Sequence, residues 1–419
     1  MEKRCSILLV GWIILMLPNS LYAQGKMLTI DSCYKLAKQN YPLIKQHQLI
    51  VNSMNYTVEN ISKGNWPQAR IAGQATYQSD VTSVPLPSAK PQAKDQYKLY
   101  GEISQMLYDG GTIKARTLQE KTGTAIEEQQ LEVDLYKLKE RINQLYFGIV
   151  LIEEQLKQSS LLSKDIQTGI DLMTAQVNNG TNYLSNLDIL KAELLKVDQQ
   201  KTELESGKQA FYNMLSMFTG QPINESWKLK LPAHSLPETT IHRPELLLFD
   251  YQKKNLDIQH QLIKSNTLPK VNLFVQGGIG RPALNILESD FKPYYIGGLQ
   301  LNWGLAGFYT IKNEKALIKI NQQKLDIQQE TFLFNTTNTL KQQTEETIKY
   351  NKLLQSDEAI IQLRNKVKIA ASSQLQYGTI NANDYMKEVN AEDQAKQNKI
   401  IHEIQLLMAE YTIKTTSGN

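Results

Sequence analysis

The chain has 419 residues, 41% hydrophobic, 21% charged and 8% aromatic, with a formal net charge of +4 at neutral pH. That near balance argues against a dedicated nucleic-acid partner. The five histidines, His47, His234, His242, His260 and His402, are scattered, with no HExxH, CxxC or phosphate-loop pattern, so no enzymatic activity and no cofactor is expected. Gly277-Gly278-Ile279-Gly280 is followed neither by the lysine and hydroxyl residue of a phosphate loop nor by a helix, and reads as a strand end.

Residues 1–23 read as a secretory signal: Lys3-Arg4, an apolar run from Ile7 to Leu17, then a small-residue cut site after Ala23. The run is shorter than the roughly 20 apolar residues of a spanning helix, and Cys5 is not placed at the cut as a lipid-attachment cysteine would be. Cleavage would leave Cys33 as the single cysteine, so no internal disulfide can form. Its spacing with Ile30 and Ala37 marks it as a small buried hydrophobe. Beyond Leu17 no apolar run approaches membrane-helix length. If this exported chain enters a membrane, strands must put it there.

The remainder says one thing twice. Pro42 and Trp66-Pro67 answer to Pro244 and Leu268-Pro269 at an offset of 202 residues, and Asn179-Gly180-Thr181 answers to Tyr377-Gly378-Thr379 at an offset of 198. The order predicted for the first repeat, 24–220, is helices, strands at about 68–79 and 96–108, and a long hairpin over 112–219. A proline-bearing linker, 221–241, leads to the second repeat, 242–419, with a helix, strands at about 270–279 and 294–303, and a hairpin over 308–414. All 13 prolines lie at or before Pro293, leaving two proline-free tracts, 92–221 and 294–419, that permit very long helices.

Apolar spacing supports those helices. Leu131, Leu135, Leu138, Ile142, Leu145, Ile149, Ile152 and Leu156 step by four and three, and the phase continues through Ser159, Ile166, Ile170 and Met173. The return helix carries Leu187, Leu190, Leu194, Val197, Leu204, Phe211 and Leu215, and the second half carries Leu353, Ser356, Ile360, Leu363, Val367 and Ala370. Such a narrow seven-residue rhythm predicts coiled-coil packing. The span from Thr112 to Asn179 is expected as one helix, bent where Gly123, Gly148 or Gly169 falls. Gly180 and Gly378 mark the turns where the chain comes back.

In the strands the odd positions are apolar (Ile71, Leu99, Ile103, Val271, Leu273, Leu299, Leu301) and the even ones wetter (Gln74, Lys98, Glu102, Asn272, Gln276, Gln300). This alternation suits a barrel with lipid outside and water inside, although a half-buried soluble sheet would alternate likewise. Tyr97, Tyr108, Tyr294, Tyr295 and Trp303 stand near strand ends, where aromatic girdles form. The segments from Ser79 to Asp95, with Pro85, Pro87 and Pro91, and from Gly280 to Pro293 read as surface loops at matching points of the repeat. Four strands cannot close a membrane barrel alone. The simplest assembly is therefore a ring of identical chains, strands forming one barrel and hairpins a helical tube.

The whole mature chain resembles the TolC-like outer-membrane efflux proteins. The matching residues are Leu28-Thr29-Ile30-Asp31, Asn40-Tyr41-Pro42, Leu107-Tyr108-Asp109-Gly110-Gly111, Gly180 through Asp188-Ile189-Leu190-Lys191-Ala192, His242-Arg243-Pro244-Glu245-Leu246, Leu268-Pro269, and Gly378 through Asp384. The resemblance implies a mainly α fold with β: long antiparallel hairpins forming an α-barrel, and four strands per chain contributing to a 12-stranded β-barrel in a homotrimer. It further implies outer-membrane lipid around the barrel, a tunnel in the periplasm, and a periplasmic adaptor and inner-membrane transporter as partners at the hairpin tips. The tip residues are Gly180, Thr181, Asp188, Gly378, Thr379 and Asp384. Asp384 matches an aspartate at the family's constriction; a second acidic position is here Lys387, a departure that offers Asp384 a cationic partner instead. A competing reading is a periplasmic or secreted coiled-coil scaffold without a pore. A pump adaptor would interrupt one hairpin with compact β modules, and none is visible.

Overall fold

The structure, a computed structural model, describes residues 27–82, 92–234 and 238–419. The expected signal segment 1–23 and Pro85, Pro87, Pro91 and Pro237 lie outside the described residues. The described residues begin with β1 (Met27–Leu28) and α1 (Ile30–Asn40), whose cap Thr29 accepts the Ser32 amide at 3.2 Å through Oγ1. After a 3₁₀ turn at Pro42–Lys45 come α2 (Gln46–Ser62), β2 (Gln68–Tyr77), β3 (Asp95–Tyr108), α3 (Thr112–Tyr136), α4 (Leu138–Asn178) and α5 (Leu184–Thr219). Then follow β4 (Lys228–Leu229), α6 (Pro244–Asn266), β5 (Lys270–Arg281), β6 (Lys292–Asn302), α7 (Gly307–Gln376) and α8 (Ala382–Ser417). The proline landmarks have local causes: Pro42 and Pro244 occupy first helical positions, where a missing N–H is harmless, and Pro67 and Pro269 directly precede β2 and β5.

Four strands form one antiparallel sheet in the order β2-β3-β5-β6. Its central pairing, β3 with β5, joins the two halves of the chain: Ile103 faces Val275 and Gln105 faces Leu273, with a bulge between Met106 and Tyr108. The helices attached to these strands pack in the same order, α2 against α3, α3 against α6 and α6 against α7. Each strand therefore continues into one helix of a layer beneath the sheet. Farther from the sheet the order is α5 against α4, α4 against α8, and α8 against α7.

Between these two layers lies the densest core. Ile30, Cys33 and Ala37 of α1 meet Ile142, Tyr146, Phe147 and Ile149 of α4, Tyr212 and Leu215 of α5, and Leu407 of α8. Tyr146 is fully buried, and its hydroxyl donates to the carbonyls of Leu28 at 2.9 Å and Lys230 at 2.6 Å. That one side chain fixes the parallel pair β1–β4, which ties the start of the chain to the linker. Phe147 stands edge-on to Tyr411 of α8 at 5.5 Å. Burial pushes the Cys33 thiol up to about 12, helped by the nearby Asp31 carboxylate. A polar network completes this level: Asn143 accepts the Tyr34 hydroxyl and donates to Thr415 Oγ1 at 3.0 Å. The Arg243 guanidinium lies over Tyr136 at 4.9 Å while paired with Glu245.

Two expectations are corrected. The helix starting at Thr112 does not run unbroken to Asn179, nor does it break at a glycine; it is interrupted at Lys137. Up to that residue α3 packs between α2 and α6, and beyond it α4 packs on α1, α5 and α8. The break sits where the helix changes neighbours, and Leu131, Leu135 and Leu138 bridge it against Tyr41, Ile44 and Phe218. The second correction concerns α7. Ile360, Leu363 and Val367 are 45%, 62% and 44% exposed. The face of α7 turned to its own chain is one residue out of phase, through Asp357, Ala371 and Leu375. The apolar stripe is present, but it points away from the hairpin.

Phe147→Ala removes the contact between first-hairpin and last-helix aromatics and opens a cavity, so it should cost about 4 kcal/mol. A lowered thermal midpoint of the purified protein, by circular dichroism, checks this.

Candidate functional site: the paired hairpin tips

Both hairpins turn by the same device. Gly180 and Gly378 each have φ +71°, a left-handed conformation that side-chain-bearing residues rarely adopt. At the first tip the Gly180 amide donates to the Val177 carbonyl at 3.0 Å and the Thr181 amide to the Gln176 carbonyl at 2.9 Å. At the second, Gly378 donates to Leu375 at 3.1 Å and Thr379 to Gln374 at 2.9 Å. These are two Schellman turns, which satisfy the last carbonyls of a helix. Each threonine hydroxyl also donates to the same carbonyl as its amide, at 2.9 Å.

The returning helices start differently. Asn381 caps α8, its Oδ1 accepting the Asp384 amide at 2.9 Å. Asp384 therefore stands in the first turn of α8, exposed, where the helix dipole favours a carboxylate. In the first hairpin Asn182 binds Gln176 through its amide at 3.0 Å and accepts from Asn186 at 2.7 Å, and Tyr183 precedes α5. Asp188 lies about half a turn further into its helix than Asp384 does and is also exposed. The tips are tied side by side: Gln176 Nε2 donates to the Gln376 carbonyl at 3.0 Å. Tyr183, Leu184 and Tyr377 project there with 79%, 59% and 81% exposure.

All six expected tip residues therefore gather at one end of the molecule. Lys387 is exposed too, but among the described residues no ion pair joins it to Asp384, so the expected pairing is absent from the single chain. Among the described residues no cluster of three or more His, Cys, Asp or Glu could hold a metal ion.

A charge network above the tips escaped sequence reasoning. Lys368 of α7 reaches Asp165 of α4 at 2.9 Å and Glu392 of α8 at 3.2 Å, and Lys396 closes on Glu392 at 2.5 Å. Glu392 is 3% exposed. Gln158 donates to Asp393 at 2.8 Å, again joining α4 to α8. Burial pulls the Lys368 ammonium down, yet Asp165 and Glu392 together hold it above its ordinary value. Burial raises the Asp393 carboxyl, with Gln158 opposing. The signal was present: Tyr385, Val389 and Glu392 continue the four-and-three step of α8, which puts Glu392 in a seam.

No protein-family model matches the sequence, and no curated protein matches it either. Solved structures do. The chain is similar to the outer membrane protein VceC of Vibrio cholerae, with 13% identity, a TM-score of 0.66, and coverage of 93% of this chain and 96% of that one. It is similar to the CmeC outer membrane channel of Campylobacter jejuni, with 13% identity, a TM-score of 0.62, and coverage of 93% and 85%. It is also similar to the MtrE outer membrane channel of Neisseria gonorrhoeae in its open state, with 12% identity, a TM-score of 0.65, and coverage of 93% and 89%. The chain has the fold of these outer membrane proteins, the fold that the resemblance implies.

Lys368→Met would leave Glu392 buried with one partner in place of two, and should cost about 3 kcal/mol. The contribution is full below the ordinary lysine range and is lost as pH rises through the raised value of Lys368. Denaturant midpoints of wild type and variant should therefore differ at pH 7 and converge in strong alkali.

Proposed function

We propose that three copies of this chain form an outer-membrane exit duct: twelve strands as one barrel in lipid, hairpins as a tunnel through the periplasm. The observation that carries this is what one chain leaves uncovered. β2 and β6 are open sheet edges, and in lipid each unpaired backbone group costs several kcal/mol. The outer helices of the layer beneath carry exposed apolar residues at a spacing of seven, Leu49 and Tyr56 on α2 and Ile320, Ile327 and Phe334 on α7. Leu353, Ile360 and Val367 extend the α7 stripe toward the tip. An exposed heptad stripe on each flank is what lateral closure with further copies requires.

The sheet fits the same reading. Ile71, Leu99, Ile103, Leu299 and Leu301 are all more than half exposed on one face and suit lipid. Arg70 pairs with Glu102 at 3.0 Å on the other, which suits a wet lumen. In this duct the tips meet a periplasmic adaptor and an inner-membrane transporter, with Gly180, Thr181, Asp188, Gly378 and Thr379 shaping the docking ends and Tyr183 and Tyr377 supplying apolar contact. Asp384 lines the constriction, with Lys387 weakening its acidic character. The transporter supplies energy and this chain supplies a gated path for small-molecule efflux.

Purified protein should run as a detergent-stable trimer, fractionate with the outer membrane and conduct ions in planar bilayers. Ile360→Asp with Val367→Asp should abolish the trimer. Release of wild-type protein by osmotic shock alone, as expected of a soluble scaffold, would sink the proposal. Asp384→Lys should shift reversal potentials toward anions in a salt gradient; unchanged currents would remove Asp384 from the pore.

A further inference from the structure

The two helices that leave the sheet, α3 and α7, begin with an unusual concentration of positive charge. Residues 112–121 hold Lys114, Arg116 and Lys121 against one carboxylate, Glu120, and residues 307–319 hold Lys312, Lys315 and Lys319 against Glu314. These two stretches carry a net charge equal to that of the entire chain, +4. All six cations are exposed, and among the described residues none enters an ion pair or a hydrogen bond to another side chain. Neither helix has an acidic residue in its first turn; ahead of α3 the Asp109 carboxylate accepts the Gly111 amide at 2.7 Å and the Ile113 amide at 2.6 Å. Cations near a helix N-terminus oppose the macrodipole, so stability does not account for them.

Their position gives the reason. The antiparallel order brings the start of β2, the end of β3, the start of β5 and the end of β6 to one end of the sheet. Trp66, Tyr108, Trp303, Phe308 and Tyr309 stand at that end, from 48% to 85% exposed, as residues of a membrane–water interface do. At 1.5 Å per residue, Lys114, Arg116, Lys312 and Lys315 lie within roughly 12 Å of the strand ends, and Lys121 and Lys319 are deeper by less than about a Debye length. Lys114 and Lys121 line one groove with Ser62, Asn65 and a single carboxylate, Asp109. At 3.6 residues per turn Lys114 and Lys121 share one face of α3, and Lys312, Lys315 and Lys319 share one face of α7, whereas Arg116 falls on the face of α3 opposite Lys114.

We infer that this basic collar binds the phosphodiester headgroups of anionic phospholipids in the leaflet at the helical end of the barrel. The inference rests on the membrane-barrel reading above. Lipid phosphates supply counter-charge to Lys114, Lys121, Lys312, Lys315 and Lys319 beyond that of Asp109, Glu120 and Glu314, and the collar fixes how deep the barrel sits and where its helices leave the membrane.

The full chain is reconstituted in nanodiscs of phosphatidylethanolamine with and without a quarter phosphatidylglycerol, and the retained lipids are identified by native mass spectrometry. Wild type should enrich phosphatidylglycerol about fivefold or more, the effect of one well-placed cation near an anionic surface, and lose it in high salt. Lys114→Gln and Lys121→Gln together, or Lys312→Gln, Lys315→Gln and Lys319→Gln together, should reduce the enrichment. Lysine-to-arginine replacement should preserve it. A wild-type protein that inserts as a trimer without preferring phosphatidylglycerol overturns the collar and leaves the duct standing. So does a neutral variant with altered ion selectivity and unchanged lipid, which places the cations in the lumen. Failure of wild type to insert in either lipid mixture overturns the duct and the collar together.

Discussion

A sheet of four strands has two open edges, and a two-helix hairpin has two flanks; no element of this chain covers its own sides. That lack of self-closure governs the remaining architecture. It explains why strands β2-β3-β5-β6 and helices α2, α3, α6 and α7 keep the same lateral order, since each strand must hand over to a helix without crossing a neighbour. It also explains why Ile327 and Phe334, 62% and 72% exposed, point away from the chain that made them. A globular protein would hide such residues, whereas the proposed duct would bury them between copies.

What holds one such segment together is the core at its middle, where helices change partners. Tyr146 and Phe147 sit at the centre of that exchange, with Tyr34, Asn143, Thr415 and Arg243 around them. The interruption at Lys137 belongs to the same place. Above it helices follow strand order, and below it they follow the hairpins, with α4 and α8 as neighbours.

Much of this was legible in the sequence because periodicity and proline are local signals. Pro42, Pro67, Pro244 and Pro269 mark element starts for steric reasons that need no tertiary context. Alternation at Ile71, Leu99 and Leu273 shows two-faced strands, and Gly180 and Gly378 announce turns only glycine forms easily. Spacing cannot say which surface a stripe meets. Leu131 to Ile152 on the first long helix packs inside its own chain, while the equal rhythm of Leu353, Ile360 and Val367 faces outward. The pairing of β1 with β4 was invisible for another reason: two-residue strands carry no period. The bridge from Lys368 to Asp165 joins residues 203 positions apart, and charge on a helix reads as solvated until its neighbour is known.

The interruption at Lys137 has no counterpart in α7, which runs unbroken for 70 residues. At 1.5 Å per residue that is a strut of roughly 105 Å from the sheet to the tip. The first hairpin reaches the same sheet in two helical segments, α3 and α4, that meet at Lys137. In the proposed duct one stave of each chain would therefore span sheet to tip as a single helix, and the other as two.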